Sequence, residues 1–159
     1  MAEVVIKEIR DFNLDLIYEI KSLELANLGD EASINEWIIP VVIRYGKLII
    51  AEEKESGEIV GICEIIRGWE DNESGGGTAF IHSFYIDEKF RFSGIGKKLL
   101  AGVMEILKND GISLIELTVS PDNKPALNLY EGFGFTVENL RKDEYGKGMD
   151  RYLMRFKLI

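Results

Sequence analysis

Apolar positions along the 159-residue chain fall into short runs whose spacing switches several times between two and roughly three and a half residues. Val4 to Ile9 reads as a first strand. From Leu14 the period lengthens, with Leu14, Ile17, Tyr18, Lys21, Leu25 and Leu28 at helical spacing and Gly29 as a stop. A second helix is predicted from Ile34 to Arg44, disturbed at Pro40, which has no amide hydrogen to give. Leu48 to Glu52 and Glu58 to Arg67 read as strands joined at Ser56-Gly57. Ala79 to Ile86, rich in aromatic and branched residues, reads as another.

Beyond it, Ile95, Leu99, Val103 and Leu107 recur every fourth residue, an amphipathic helix closed by Asn109-Asp110-Gly111. Ile112 to Val119 is apolar on much of both faces, as an interior strand would be. Asp122 or Asn123 can cap a short helix with Pro125 in its first turn. Phe135 to Leu140 and Tyr152 to Leu158 complete the pattern as paired terminal strands. The predicted order is β-α-α-β-β-β-α-β-α-β-β, an α/β fold with helices on both faces of a central mixed sheet. No repeat or linker interrupts it, and the loose Asp71–Gly77 stretch reads as a hairpin loop, so residues 1–159 are expected to form one domain.

Composition narrows the function classes. Hydrophobic residues make up 46% and charged residues 30%, a globular profile. The longest apolar runs, such as Trp37 to Ile43, are too short to span a bilayer, and MAEVVIKEIRDF lacks the layout of a secretory signal. A single cysteine, Cys63, and the lack of a Cys/His cluster leave no disulfide framework and no metal site. A cytoplasmic protein without membrane attachment is expected. The net charge of -9 opposes nucleic acid and leans toward a cationic partner, although acidic surfaces most often serve solubility.

The most informative segment runs from Phe84 to Lys97, where a strand ends and Gly94-Ile95-Gly96 opens a helix. Glycine lets a diphosphate approach the backbone, and the free amides of a helix's first turn favour negative charge. Arg91 and Lys97 add positive charge. Two better-known glycine loops do not fit: Leu99 stands where the dinucleotide fingerprint needs a third glycine, and Lys98 stands where a phosphate loop needs Ser or Thr. On this segment alone a glycine-tolerant helix entry accounts for the pattern equally well.

Arg91-x-x-Gly94-x-Gly96 after an apolar strand resembles the acetyl-CoA signature of the GNAT superfamily of N-acetyltransferases. Asn123-Lys124-Pro125-Ala126-Leu127-Asn128-Leu129-Tyr130-Glu131-Gly132-Phe133-Gly134-Phe135 is similar to that family's Asn-x-x-Ala-x-x-x-Tyr-x-x-x-Gly-Phe block, in the family's order. The resemblance implies a GNAT-like fold, acetyl-CoA as co-substrate and no metal. It implies that the backbone of Phe84, Tyr85 and Ile86 pairs with the pantetheine arm. The loop Arg91, Phe92, Ser93, Gly94, Ile95, Gly96 and Lys97 would cradle the pyrophosphate, with Phe92 where relatives often have Gly, Arg or Lys. Asn123 and Ala126 would lie along the cofactor, and Tyr130 would protonate the departing thiolate. Spacing of three and seven puts Asn123, Ala126 and Tyr130 on one helical face; a core tyrosine with a satisfied hydroxyl is the competing reading.

The general base is less defined. No carboxylate occupies Thr78 to Ile81, where some relatives carry a Glu. His82 is the only histidine and imidazole chemistry suits a base, and Glu64 shares an alternating strand face with Val60, Ile62 and Ile66, where a carboxylate needs a partner or a raised pKa. A water chain without a dedicated base is the third option. Cys63, with no His nearby in sequence, reads as a buried thiol. The expected acceptor is a primary amine, either a small amine or polyamine or a protein N-terminus or lysine. Tyr145 is a candidate for the acceptor side. A non-catalytic acyl-CoA binding module is the alternative, and a homodimer is compatible with the family.

Overall fold

The computed structural model describes residues 2–30, 36–69 and 75–158, and it carries β1 (Val4–Ile9), α1 (Leu14–Leu28), α2 (Ile38–Tyr45), β2 (Lys47–Glu53), β3 (Ile59–Arg67), β4 (Gly77–Ile86), α3 (Ile95–Asn109), β5 (Ile112–Val119), α4 (Lys124–Phe133), β6 (Thr136–Arg141) and β7 (Arg151–Lys157). The order is the one the pattern predicts. One mixed sheet takes the strands in the order β1-β2-β3-β4-β5-β7-β6. Antiparallel ladders join β1 to β2 and β2 to β3, β4 runs parallel to β5, and β7 pairs antiparallel with β5 and β6.

Two expectations about the early helices need correction. Asn13 caps α1 by accepting from Leu16 N–H, and the buried positions are Ile17, Ile20 and Glu24. Leu14, Tyr18 and Leu25 face solvent instead, so the inward stripe lies to one side of the predicted one. Pro40 falls in the first turn of α2, where its missing amide hydrogen would have had no helical acceptor anyway, so it does not disturb the helix. The predicted start of that helix at Ile34, and the centre of the Asp71–Gly77 loop, lie outside the described residues.

The chain divides into two compact units, Met1–Ile66 with Ser83–Val103, and Arg67–His82 with Met104–Ile159. In the first, Ile17 and Ile20 of α1, Ile39 and Ile43 of α2, Leu48 and Ile50 of β2, Ile62 of β3 and Tyr85 of β4 form one buried cluster. On the other side Leu99 and Val103 of α3 are fully buried. Two glycines make room where α3 packs: a Cβ on Gly61 would come within 2.7 Å of Ile86 of β4 and 3.3 Å of Leu99 of α3, and one on Gly102 of α3 within 2.8 Å of Ile6. In the second unit, Ile115 and Leu117 of β5 and Leu153 and Met154 of β7 are buried. Tyr130, Phe135 and Phe156 stack in a row there, with ring centroids 5.7 and 5.3 Å apart.

Candidate active site

The glycine segment forms a braced loop at the end of β4. Asp87 Oδ1 accepts from Lys89 N–H (3.0 Å) and caps a single 3-10 turn, Glu88–Phe90. Arg91 Nε donates to the Ile86 carbonyl at 3.1 Å, and its Nη2 donates to Asn27 Oδ1 at 3.2 Å. The same Asn27 oxygen accepts from Glu88 N–H at 3.0 Å, while Asn27 Nδ2 donates to Leu23 O at 2.9 Å. Arg91 is therefore a brace within the loop as well as a local positive charge. Ser93 turns its hydroxyl back to the Phe90 carbonyl. Phe92 and Gly94 take left-handed backbone conformations, with φ of 60° and 83°. Such a conformation costs a non-glycine residue about 1 kcal/mol or more, and it is found disproportionately at ligand loops.

Helix α3 then begins with the Lys98 N–H to Gly94 O bond, so the amides of Ile95, Gly96 and Lys97 precede its ladder. No acidic side chain occupies the first turn. Lys97 and Lys98, both exposed, add positive charge at the end where the helix dipole is already positive. A helix N-terminus of this composition favours an anion. The β4–β5 ladder ends at Ile81–Leu117, and β4 continues through His82 to Ile86 beyond it.

In the second unit, Asn123 caps α4 with its Oδ1 accepting from Ala126 N–H at 3.2 Å. Leu127 and Tyr130 form the buried side of that helix, while Asn123 is exposed and Ala126 half-buried. Gly134 at φ 97° ends it, with Phe135 N–H bonding back to Tyr130 O. Tyr145, in the β6–β7 connection, places its hydroxyl 3.1 Å from Thr118 Oγ1 and lies under the Arg151 guanidinium.

The two base candidates sit in opposite environments. His82 is exposed on β4. Glu64 is fully buried with Val60 and Ile62, although Ile66 on the same alternation reaches solvent. Burial, followed by the Glu24 carboxyl group close by, pushes Glu64 up to about 9. Tyr85 is buried against the same acids and its hydroxyl is shifted upward, first by burial and then by Glu24 and Glu64. Cys63 is buried and its thiol is pushed up by burial and by Glu64, so it stays a thiol. Sequence reasoning missed Glu24 because a glutamate in an amphipathic helix ordinarily faces water; its position four residues after Ile20 was the available signal.

The chain matches the Acetyltransferase (GNAT) family over residues 14–135, a span holding both the braced loop and α4. It belongs to that family. The chain is 32% identical over 87 residues to an uncharacterized N-acetyltransferase of Methanocaldococcus jannaschii, a match covering 55% of this chain and 38% of that protein. It is 27% identical over 146 residues to the thialysine N-epsilon-acetyltransferase of Bos taurus, covering 84% and 85% of the two chains. Matches to three of the curated relatives span 20 to 38% of those proteins' length. A GNAT family acetyltransferase from Elizabethkingia anophelis with acetyl-CoA bound shares the fold, with a TM-score of 0.73, 22% identity and 97% of each chain covered.

Acetyl-CoA is the co-substrate typical of GNAT proteins. The residues present fit its diphosphate: amides of Ile95 to Lys97 that precede the helical ladder, no acid in the first turn of α3 and two lysines beside it. Around Gly94 an added Cβ would meet nothing within 4 Å, so the loop is open on that side. Among the described residues no group of His, Cys, Asp and Glu could hold a metal, and no helix is long and apolar enough to cross a membrane.

Proposed function

We propose that this GNAT protein transfers an acetyl group directly from acetyl-CoA to a primary amine. The observation that carries the reading is the positive N-terminus of α3, whose first amides precede the helical ladder, beside a glycine loop braced by Arg91 and Asn27. Preorganised donors of this kind bind a diphosphate without the cost of ordering a loop.

Each residue then has a role within its own unit. Backbone groups of Phe84, Tyr85 and Ile86 receive the pantetheine arm as an added strand, a role supported by β4 running past the end of its ladder with β5. Residues 91–97 hold the pyrophosphate. The Asn123 carboxamide oxygen is spent on the cap, which leaves its NH2 group as the donor toward the cofactor. Tyr130, fixed between the α4 backbone and Phe135, supplies a proton to the leaving thiolate. The amine must lose a proton before attack. His82 is the exposed candidate to take it, whereas Glu64 keeps its own proton at neutral pH and acts as a base only after giving that proton up.

Relatives whose names specify thialysine and L-2,4-diaminobutyric acid acetylation support an amine-bearing small molecule as acceptor. Calorimetric titration with acetyl-CoA, followed by thiol release with a panel of amines and peptides, tests the reading. Tight binding is expected, together with turnover that falls about 100-fold or more in Tyr130→Phe while acetyl-CoA affinity holds. Binding without turnover on any amine or peptide would point to an acyl-CoA sensor, and absence of binding would end the proposal.

A further inference from the structure

Asn27 stands in the last turn of α1 and continues the inward stripe of Ile17, Ile20 and Glu24, whose spacing of three and four it keeps. Its side chain is half-buried. Apolar residues normally fill such a place, and an asparagine there needs specific partners. Asn27 has three, and they occupy both ends of its carboxamide. Nδ2 donates to Leu23 O at 2.9 Å, whereas Oδ1 accepts from Glu88 N–H at 3.0 Å and from Arg91 Nη2 at 3.2 Å. The opposite orientation would set the NH2 group against two donors and the oxygen against a carbonyl, so the network admits only this one.

Arg91 depends on this contact for its orientation. Its Nε is fixed on the Ile86 carbonyl at 3.1 Å, and that bond alone leaves the guanidinium plane free to swing. The second bond, from Nη2 to Asn27, sets the plane. A guanidinium has five N–H donors, so three are left once these two bonds are made. Helix α1 adds an attraction of its own. Its last turn carries no basic side chain, and the Arg91 guanidinium stands where the negative end of the helix dipole favours a cation.

We propose that Asn27 is a positioning residue for acetyl-CoA and acts through Arg91, holding the guanidinium in the orientation that the diphosphate meets. The proposal rests on the reading of residues 91–97 as the pyrophosphate loop and brings a residue of α1 into that site. Without Asn27, binding has to order the guanidinium as well as the ligand, and this cost falls on acetyl-CoA affinity rather than on acetyl transfer.

The test is calorimetric titration with acetyl-CoA of the native full chain, Asn27→Ala, Arg91→Lys and the double variant. Alanine favours a helix more than asparagine does, so α1 itself is not weakened by the substitution. Lysine keeps the charge at position 91 but lacks the fork that reaches the Ile86 carbonyl and Asn27 together. Each single variant should weaken acetyl-CoA binding roughly tenfold, and the double variant should bind no more than about twofold weaker than Arg91→Lys. In thiol release with the fastest amine of the panel, Asn27→Ala should raise KM for acetyl-CoA by a similar factor and leave kcat unchanged.

Native affinity in Asn27→Ala, losses that multiply in the double variant, or a fall in kcat with KM unchanged would each overturn the role and leave the enzyme reading standing. If Asn27→Ala does not fold, Arg91→Lys decides alone, since native affinity there would mean that the brace has no part in binding. A native chain that does not bind acetyl-CoA would instead fail the enzyme reading.

Discussion

Two pairs of side chains in this protein show how the same carboxylate can serve opposite ends. In the second unit, Glu116 of β5 lies across from Arg155 of β7 and accepts from its Nε at 2.7 Å, while Arg155 Nη1 reaches Glu138 at 3.1 Å. In the first unit, Glu64 of β3 is buried beside another acid, Glu24 of α1, and holds its proton up to about 9. The Glu116 pair is partly exposed and opposite in charge, so it closes on itself and asks for nothing more. The Glu64 pair is sealed from water, where two negative charges would repel strongly, so Glu64 stays protonated at neutral pH. A carboxylate set against a cation near the surface stays ionised, whereas one buried beside a second acid keeps its proton.

Three measurements bear on this contrast. The largest effect concerns pH. Glu64 titrates near 4.5 when unfolded and at about 9 when folded, so the folded chain binds the extra proton between those values. The stability it contributes is complete below pH 4.5 and drains as pH rises toward 9, by up to about 1.4 kcal/mol per unit. Urea melts from pH 5 to 8.5 should show that slope in the native chain and lose it in Glu64→Gln; identical slopes would erase the distinction between the two pairs. The next effect is a gain. Replacing both acids together, Glu24→Leu with Glu64→Met, should leave stability equal or raise it by about 1–4 kcal/mol at pH 8. A double variant that is less stable at every pH would show that the buried acids support the fold. The smallest effect belongs to the exposed pair: Arg155→Met should cost about 1 kcal/mol or less, shrink further in high salt and leave acetyl transfer intact. A loss of several kcal/mol there would show that the comparison was drawn the wrong way round.

Much of this was legible along the chain, for physical reasons that differ by place. Gly94, Gly111 and Gly134 announce themselves because their left-handed backbone excludes most other residues. Asn123 and Pro125 mark the start of α4 by chemistry local to one turn. What local pattern could not supply was tertiary in origin. The inward face of α1 was misjudged because Leu14, Tyr18 and Leu25 are apolar yet exposed, while Glu24 is charged yet buried. Arg91 carries the expected positive charge, but its brace to Asn27 joins residues far apart in the chain and has no signature in either segment.

That brace also has a consequence for motion. The Glu88 amide lies in a single turn at the surface, where backbone hydrogens normally trade with deuterated solvent within seconds to minutes. Its acceptor is not a neighbour in that turn but the Asn27 side chain of a fifteen-residue helix. Its exchange should therefore follow the opening of α1, and the two should slow together when the loop is occupied.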